Sequence, residues 1–232
     1  MEKRMSILGD SISTYRGVSD DGAAEPTIVG NPWFYRDPFP MEKTYWHLVM
    51  EALGYTLCVN NSWSGSLASD ANTYNVRAKN LHNTTTGESP DIIVILIGVN
   101  DWSANTAVGT FDGTVKAPTT PGSFSEAYGR MIAVMQKTYP DAKIYCCTFL
   151  PDRLRSFNEK NGAGISEKVY NDAIRTIAQN MGVGLIDLYA DSGITPDNIT
   201  TYTTDRLHPN ADGMELMAKA IMKVIGEENG EP

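Results

Sequence analysis

Cysteine is scarce in this chain, which contains three cysteines in 232 residues. Cys58, Cys146 and Cys147 show neither a CxxC spacing nor the mixed cysteine and histidine spacing of metal sites, and their odd number argues against a disulfide framework. All three lie in apolar runs typical of strands, YTLCV and KIYCCTF. We therefore expect three buried, unreactive thiols and no metal site.

Clustered positive charge and long apolar runs are also missing. The net charge is -9, and the lysines and arginines form no stripe that could follow a phosphate backbone, so nucleic acid is not an expected partner. The longest strictly apolar run, IIVILI at 92–97, is far shorter than the roughly 20 residues of a membrane-spanning helix. The N-terminal sequence MEKRMSILGDS has no apolar signal region, which predicts a cytoplasmic protein.

What the chain does contain is an alternation of short apolar runs with longer stretches of helical apolar spacing. The runs predict strands at 4–8, 55–59, 91–97, 143–149 and 184–188. The stretches predict helices at 42–53, about 67–81, 123–139, 166–181 and 211–225. Continuously apolar strands fit a parallel sheet that is covered on both faces. The predicted fold is a three-layer α/β/α sandwich around a mainly parallel, five-stranded sheet.

No linker interrupts this alternation, which predicts a single domain over 1–226 and a frayed tail at 227–232. Ser123 and Glu126 form a capping box, and Gly54 and Gly182 stand where helices end on glycine. Two connections, 17–41 and 103–122, are unusually long and follow the carboxyl ends of strands. Ligands bind at those ends in open α/β sheets, so both loops are expected near the functional site.

Histidine is as scarce as cysteine, and one of the three histidines stands in an informative context. His208 lies in TTDRLHPNADG, three positions after Asp205, so a turn could let this carboxylate orient the imidazole as a base. A structural role in the turn is the alternative. His47 lies in a helical pattern and His82 in a polar stretch without a preceding carboxylate, so both are expected to be surface or packing residues.

A serine near the other end of the chain could be the nucleophile that such a base activates. In SILGDSIS, Ser11 follows the first predicted strand after a glycine that permits a tight turn. The alternative is that Asp10 or Ser11 only caps a helix. The GxSxG elbow of α/β-hydrolases is absent, since position 13 is serine.

Acyl transfer also requires hydrogen-bond donors for an oxyanion, and two other predicted strand ends could supply them. Gly65 in VNNSWSGS can present a backbone N–H, and Asn100 in LIGVND carries a side-chain amide. Each stretch alone is an ordinary turn sequence. A parallel sheet would bring them to the same edge as Ser11 and the loop before the last helix.

Taken together, GDS, NSWSG, GVND and DRLH resemble the four signature blocks of the SGNH hydrolase, or GDSL esterase/lipase, superfamily over residues 5–213. The resemblance implies a flavodoxin-like fold and a serine hydrolase without cofactors. It implies that Ser11 is the nucleophile, that His208 is the general base and acid oriented by Asp205, and that Ser11 N–H, Gly65 and Asn100 hold the oxyanion.

The resemblance also bears on residues around the catalytic set. Asp10 and Asn60 occupy positions from which they could support the catalytic residues, with a purely structural role as the alternative. Arg206 departs from the usual sequence pattern of the family, which has glycine at this position. This difference is expected to alter the rim of the pocket without changing the mechanism.

Aromatic residues near the blocks bear on the substrate. The residues expected to line the crevice, or else to pack the long loops, are Trp33, Phe34, Tyr35, Trp63 and Trp102. Tyr45 and Trp46 are assigned to the core. Because the family includes many sugar O-deacetylases, an acetyl ester of a carbohydrate or of another small molecule is the preferred substrate. Longer acyl esters of a lipase or lysophospholipase, thioesters, and a carbohydrate-binding protein without catalysis are the alternatives.

Overall fold

Five parallel strands form the centre of the protein. The structure, a computed structural model, describes residues 2–15, 39–115, 120–151 and 159–229. The strands are β1 (Lys3–Gly9), β2 (Tyr55–Asn60), β3 (Ile92–Leu96), β4 (Lys143–Cys147) and β5 (Gly184–Ile186). They pair in the order β2-β1-β3-β4-β5, and every pair is parallel. The predicted strands are confirmed, although β4 and β5 each end two residues earlier than expected.

Seven α-helices occur in the described residues. They are α1 (Tyr45–Leu53), α2 (Val99–Ser103), α3 (Phe124–Thr138), α4 (Glu167–Met181), α5 (Leu188–Asp191), α6 (Ile199–Tyr202) and α7 (Ala211–Asn229). Helix α1 packs against α7, and α3 packs against α4, so a helical layer covers each face of the sheet. The predicted three-layer α/β/α fold is confirmed. Helix α7 continues to Asn229, so the first three residues of the predicted tail are helical.

Local hydrogen bonds and backbone conformation explain the predicted helix ends. Ser123 Oγ accepts the N–H of Glu126 at the start of α3, while Glu126 Oε2 accepts the N–H of Gly122. The C-terminal residues Gly54 and Gly182 adopt left-handed backbone conformations, with φ of 68° and 63°. Glycine adopts this conformation without a steric penalty, which explains where α1 and α4 end.

The helix expected at about 67–81 is wrong in length and in regularity. The segment contains one π-helical turn, Asn72–Val76, followed by a 3-10 turn, Arg77–Lys79. Asn61 Nδ2 explains the irregular end, because it donates to the carbonyls of Arg77 at 3.4 Å and of Asn80 at 3.0 Å. The Arg77 carbonyl also accepts the Asn80 N–H at 3.0 Å, the i to i+3 bond of a 3-10 turn, so the segment ends without an α-helical ladder.

The core confirms several predictions about individual residues. Tyr45 and Trp46 are each 1% exposed. All three cysteines are buried and free, and burial raises the pKa of Cys146 to about 12, which leaves the thiol without nucleophilic character. His82 Nδ1 lies 3.2 Å from the Tyr139 hydroxyl, and His47 is a half-buried residue of α1, so both act as packing residues.

The strand order determines where a ligand site can form. From β1 the chain passes to β2 on one side, and from β3 it passes to β4 and β5 on the other, so the direction of winding reverses between β1 and β3. Gly9 at the end of β1 pairs with Leu96 at the end of β3. A crevice outside the carboxyl ends of these two strands is the usual ligand site of this topology.

Candidate active site

Three side chains from opposite ends of the chain form a continuous hydrogen-bonded series at this edge of the sheet. Ser11 Oγ lies 2.8 Å from His208 Nε2, although the residues are 197 positions apart. His208 Nδ1 lies 2.8 Å from Asp205 Oδ2. Ser11 and His208 are 5% and 6% exposed. The predicted base, its carboxylate and the predicted nucleophile are therefore brought together in the order that proton transfer from a serine hydroxyl requires.

The histidine is positioned by a tight loop between α6 and α7. Asp205 Oδ1 accepts the backbone N–H groups of Leu207 at 3.1 Å and His208 at 2.8 Å, which leaves Oδ2 for the imidazole. Thr204 N–H donates to the His208 carbonyl at 2.8 Å and closes the loop. Partial burial alone would raise the pKa of Asp205, but the hydrogen bonds from His208 and Leu207 lower it below its usual range. Asp205 is therefore ionised at neutral pH and favours the imidazole tautomer with its proton on Nδ1.

Arg206 stands where the family sequence pattern more often has glycine, and its backbone is left-handed, with φ of 70°. A residue with a Cβ pays roughly 1–2 kcal/mol for this conformation, whereas glycine does not. We expect Arg206→Gly to be more stable than Arg206→Ala by about 1 kcal/mol, because both variants remove the side chain and only glycine removes the strain. Urea unfolding of the two variants measures this difference. Equal stabilities would show that the turn carries no strain.

Ser11 lies in a turn, not at the start of a helix. Asp10 closes this turn. Its Oδ1 accepts the Ile12 N–H at 3.1 Å, and its carbonyl accepts the Ser13 N–H at 3.1 Å. The preceding glycine is required by close packing, because a Cβ at Gly9 would lie 2.4 Å from Ser13 Oγ and 2.9 Å from the Leu96 carbonyl. The Ser11 hydroxyl is thereby left to face His208.

The Gly65 N–H and the Asn100 side chain, the two oxyanion donors predicted besides Ser11 N–H, lie on segments that are hydrogen-bonded to each other. The segment that carries Gly65 is also hydrogen-bonded to the end of β1. Trp63 N–H donates to the Gly9 carbonyl at 3.2 Å, which holds the loop after β2 beside the end of β1. Gly65 is exposed on this loop, with φ of 78°. Asn100 lies at the start of α2, and its Nδ2 donates to the Ser66 carbonyl at 3.0 Å. An amide nitrogen carries two hydrogens, so Asn100 Nδ2 has a second N–H beside the one that it donates to Ser66.

Sequence reasoning missed Asp101, which joins the loop after β2 to the segment after β3. Its carboxylate is fully buried and accepts the backbone N–H groups of Ala68 at 2.7 Å and Ser69 at 3.1 Å. Burial raises its pKa, and these hydrogen bonds oppose the increase. A carboxylate directly after Asn100 was a visible signal, but its partners are 32 and 33 positions away and no local pattern identifies them.

Asp10 and Asn60, for which a supporting role was considered, both bond to the turn that carries Ser11. Asn60 Nδ2 donates to the Ser13 carbonyl at 2.9 Å. Asp10 is 1% exposed, and this burial raises its pKa to about 7, an effect that Asp101 increases and that the Ile12 N–H and Arg77 oppose. A carboxyl group therefore changes charge near neutral pH directly beside Ser11.

This titration predicts a pH-dependent stability. The folded protein keeps Asp10 protonated up to about pH 7, whereas the unfolded chain releases the proton near pH 4, so stability falls as pH rises through this window. Asp10→Asn removes the effect. We expect the wild type to lose about 3 kcal/mol of unfolding free energy between pH 5 and pH 8 that the variant does not lose. Urea unfolding of both proteins at the two pH values tests this, and parallel pH dependences would contradict it.

The aromatic residues proposed to line the crevice have different positions. Trp63 is half-buried on the loop that carries Gly65. Trp102 is 9% exposed, and its indole N–H donates to the Ile165 carbonyl at 2.9 Å. This bond and burial make Trp102 a packing residue, in line with the alternative role considered for it. Trp33, Phe34 and Tyr35 lie outside the described residues.

The described part of the chain shows neither a metal site of clustered ligands nor a membrane-spanning helix. There, no group of three or more histidine, cysteine, aspartate or glutamate side chains could hold a metal ion. Within the same residues, no helix is both long and apolar enough to cross a membrane.

Comparisons with known proteins bear on the fold and on the family of this chain. A comparison with curated proteins found no match. Among solved structures, a candidate GDSL-like lipase from Bacteroides uniformis is 25% identical, with a TM-score of 0.67 over 99% of this chain and 96% of that one. A similar protein from Bacteroides ovatus is 23% identical, with a TM-score of 0.65 over 97% and 98%.

A family-two carbohydrate esterase from Clostridium thermocellum, solved in complex with cellohexaose, has the same fold. It is 18% identical, with a TM-score of 0.61 over 99% of this chain and 65% of that one. The model of the GDSL-like lipase/acylhydrolase family matches residues 7–216, which include all four blocks. The resemblance found in the sequence is confirmed, and the chain belongs to the GDSL-like lipase/acylhydrolase family of hydrolases.

Proposed function

We propose that this hydrolase cleaves short acyl esters through a serine acyl-enzyme, and that its preferred substrates are acetyl esters of carbohydrates or of similar small alcohols. The observation that carries the proposal is the unbroken series from Asp205 through His208 to Ser11, with both heavy-atom distances at 2.8 Å. Such a series makes a serine hydroxyl nucleophilic at neutral pH, and the burial of Ser11 and His208 limits competition from bulk water.

Acylation begins when Ser11 Oγ attacks the ester carbonyl carbon and its proton passes to His208 Nε2. Asp205 stabilises the imidazolium through Nδ1 and keeps the ring in place. The carbonyl oxygen becomes an oxyanion, which accepts hydrogen bonds from Ser11 N–H, Gly65 N–H and Asn100 Nδ2. The carbon–oxygen bond to the alcohol then breaks, and the departing oxygen takes the proton from Nε2.

Deacylation repeats these steps with water. His208 Nε2 takes a proton from a water molecule as the water oxygen attacks the acyl-enzyme carbonyl. The same donors hold the second oxyanion. Collapse of this intermediate breaks the bond to Ser11 Oγ, which recovers its proton from the imidazolium and releases the carboxylic acid.

Two observations favour a small, polar substrate over a lipid. The large hydrophobic side chains that stand exposed among the described residues are Val76 and Val169, which lie on separate elements and form no broad apolar surface for a lipid interface. Trp63, two positions before Gly65, is a half-buried aromatic residue, and sugars stack on aromatic rings. The shared fold with a carbohydrate esterase is consistent with this class of substrate.

The proposal is tested by comparing acyl chains and alcohols. We expect hydrolysis of p-nitrophenyl acetate to exceed that of the butyrate, and the octanoate to be the poorest substrate. We also expect the protein to release acetate from acetylated xylan or from peracetylated glucose. Rates that rise steadily from acetate to octanoate, without acetate release from either carbohydrate, would replace the proposal with a lipase, lysophospholipase or thioesterase. Binding of xylan without turnover of any ester would indicate a carbohydrate-binding protein.

A further inference from the structure

Arg77 is a buried cation close to the candidate site, and sequence reasoning did not single it out. The residue is 3% exposed, and burial lowers the pKa of its guanidinium to about 9, an effect that the nearby charges of Asp10 and Asp70 oppose. Removing an arginine from water is costly unless its N–H groups are satisfied. The partners of Arg77 therefore show what the buried charge holds together.

All the donor groups of Arg77 reach oxygen atoms of neighbouring segments. Nη2 donates to the Gly9 carbonyl at 2.9 Å and to the Asn61 carbonyl, and Nε donates to the same Asn61 carbonyl at 3.2 Å. Nη1 donates to Ser66 Oγ at 2.6 Å and, more weakly, to Thr73 Oγ1 at 3.4 Å. The guanidinium carbon also lies 5.5 Å from the centroid of the Trp63 ring.

Apart from Thr73, these partners belong to the two segments whose separation matters for the proposed reaction. Gly9 precedes the nucleophile by two positions, and Ser66 directly follows Gly65. The loop after β2 is held on its other side as well, because Asn100 Nδ2 binds the Ser66 carbonyl and Asp101 binds the N–H of Ala68. Arg77 is the member of this set that bonds to both the nucleophile strand and the Gly65 loop.

The chemistry of the side chain suits this task better than that of lysine. A guanidinium is planar and presents its donors in a fixed fork, so oxygen atoms on three different segments are held at set distances from one another. A lysine ammonium would supply the same charge from a single flexible point. It could not reproduce the positions of Nε, Nη1 and Nη2 together.

We propose that Arg77 is a positioning residue that fixes the distance between the Ser11 turn and the Gly65 N–H, and thereby the geometry of the oxyanion donors. The inference rests on the proposed esterase function. Arg77 touches neither substrate nor reacting atoms in this account. Its effect should appear in the stabilisation of the transition state, because misplacement of a donor by about 1 Å can cost 100-fold in rate while leaving substrate binding intact.

Three variants test the proposal. Arg77→Lys keeps the charge and removes the fork. Ser66→Ala removes only the Oγ contact on the Gly65 loop, together with the bond of that hydroxyl to the Trp63 carbonyl. Thr73→Val is the matched control, because it also removes a hydroxyl partner of Arg77, but on a segment that carries no proposed oxyanion donor.

The measurements are kcat and KM for p-nitrophenyl acetate and the inhibition constant for trifluoroacetone. A serine hydroxyl adds to this ketone and forms a stable oxyanion. We expect Arg77→Lys and Ser66→Ala to lower kcat by about 10- to 100-fold with KM within twofold of wild type. The inhibition constant should rise in proportion to the fall in kcat/KM. Thr73→Val should change neither quantity by more than about threefold.

Thermal unfolding of each variant separates positioning from loss of the fold. If Arg77→Lys does not fold, Ser66→Ala carries the test alone. A folded Ser66→Ala variant with wild-type kcat and inhibition constant would overturn the inference, and so would a Thr73→Val variant that loses as much activity as Ser66→Ala. An active wild type with unaffected variants refutes this inference alone. A wild type that hydrolyses no ester refutes the proposed function and the inference with it.

Discussion

Replacing Ser11 with alanine should lower kcat for p-nitrophenyl acetate by at least about 10⁵-fold, because no other group in the proposed mechanism can form the acyl-enzyme. The imidazole, the carboxylate and the oxyanion donors would remain in place. Residual turnover would then reflect only stabilisation of water attack by the site. Steady-state hydrolysis by the purified variant and wild type measures the change.

Ser13→Ala is the control for this substitution. Ser13 lies in the same turn, and its hydroxyl bonds to the Tyr45 hydroxyl at 2.7 Å rather than to His208. The control should lose thermal stability and keep kcat within about tenfold of wild type, since only a buried hydrogen bond is removed. Equal losses in the two variants would mean that the turn, and not the Ser11 hydroxyl, is what the reaction requires.

Asp205→Asn should lower kcat by about 10⁴-fold without unfolding the loop. Asparagine keeps an oxygen that can accept the N–H groups of Leu207 and His208, as Asp205 Oδ1 does. In place of Oδ2, however, it presents an N–H to the imidazole. His208 Nδ1 must then accept this hydrogen bond, so the ring proton moves to Nε2 and the base can no longer take a proton from Ser11.

The pH dependence of kcat/KM and the thermal midpoint of this variant complete the test. Asp212→Asn, at the exposed start of α7, is the matched control and should retain wild-type activity. Activity of Asp205→Asn within tenfold of wild type would show that the carboxylate does not orient the histidine during the reaction. A midpoint that falls steeply would assign the loss to folding of the loop.

Much of the fold could be predicted because its strongest signals are local. IIVILI at 92–97 is continuously apolar and buried, and its first five residues form β3 at the centre of the sheet. Once parallel strands are inferred, the residues after β1, β2 and β3 must meet at one edge. The encounter of Ser11 with His208 across 197 positions has no local signal, and it could be expected only because DRLH, in the loop before α7, resembles the fourth block of the family.

The contacts that support this site could not be predicted, since they depend on long-range burial. Arg77 was hidden in a segment taken for a regular helix, although its spacing from Tyr74, Ala78 and Leu81 places a charge on the buried face. The elevated pKa of Asp10 depends on complete enclosure by elements that the sequence does not reveal to be adjacent. The left-handed backbone of Arg206 contradicts residue preference and is imposed by the bonds of its loop.

Covalent labelling can show whether Ser11 is the nucleophile. The wild type and Ser11→Ala would each be treated with a fluorophosphonate, digested and analysed by mass spectrometry. We expect one stoichiometric adduct on Ser11, formed at a rate that matches the loss of esterase activity, and no adduct in the variant. An adduct on another residue, or full loss of activity without modification of Ser11, would contradict it.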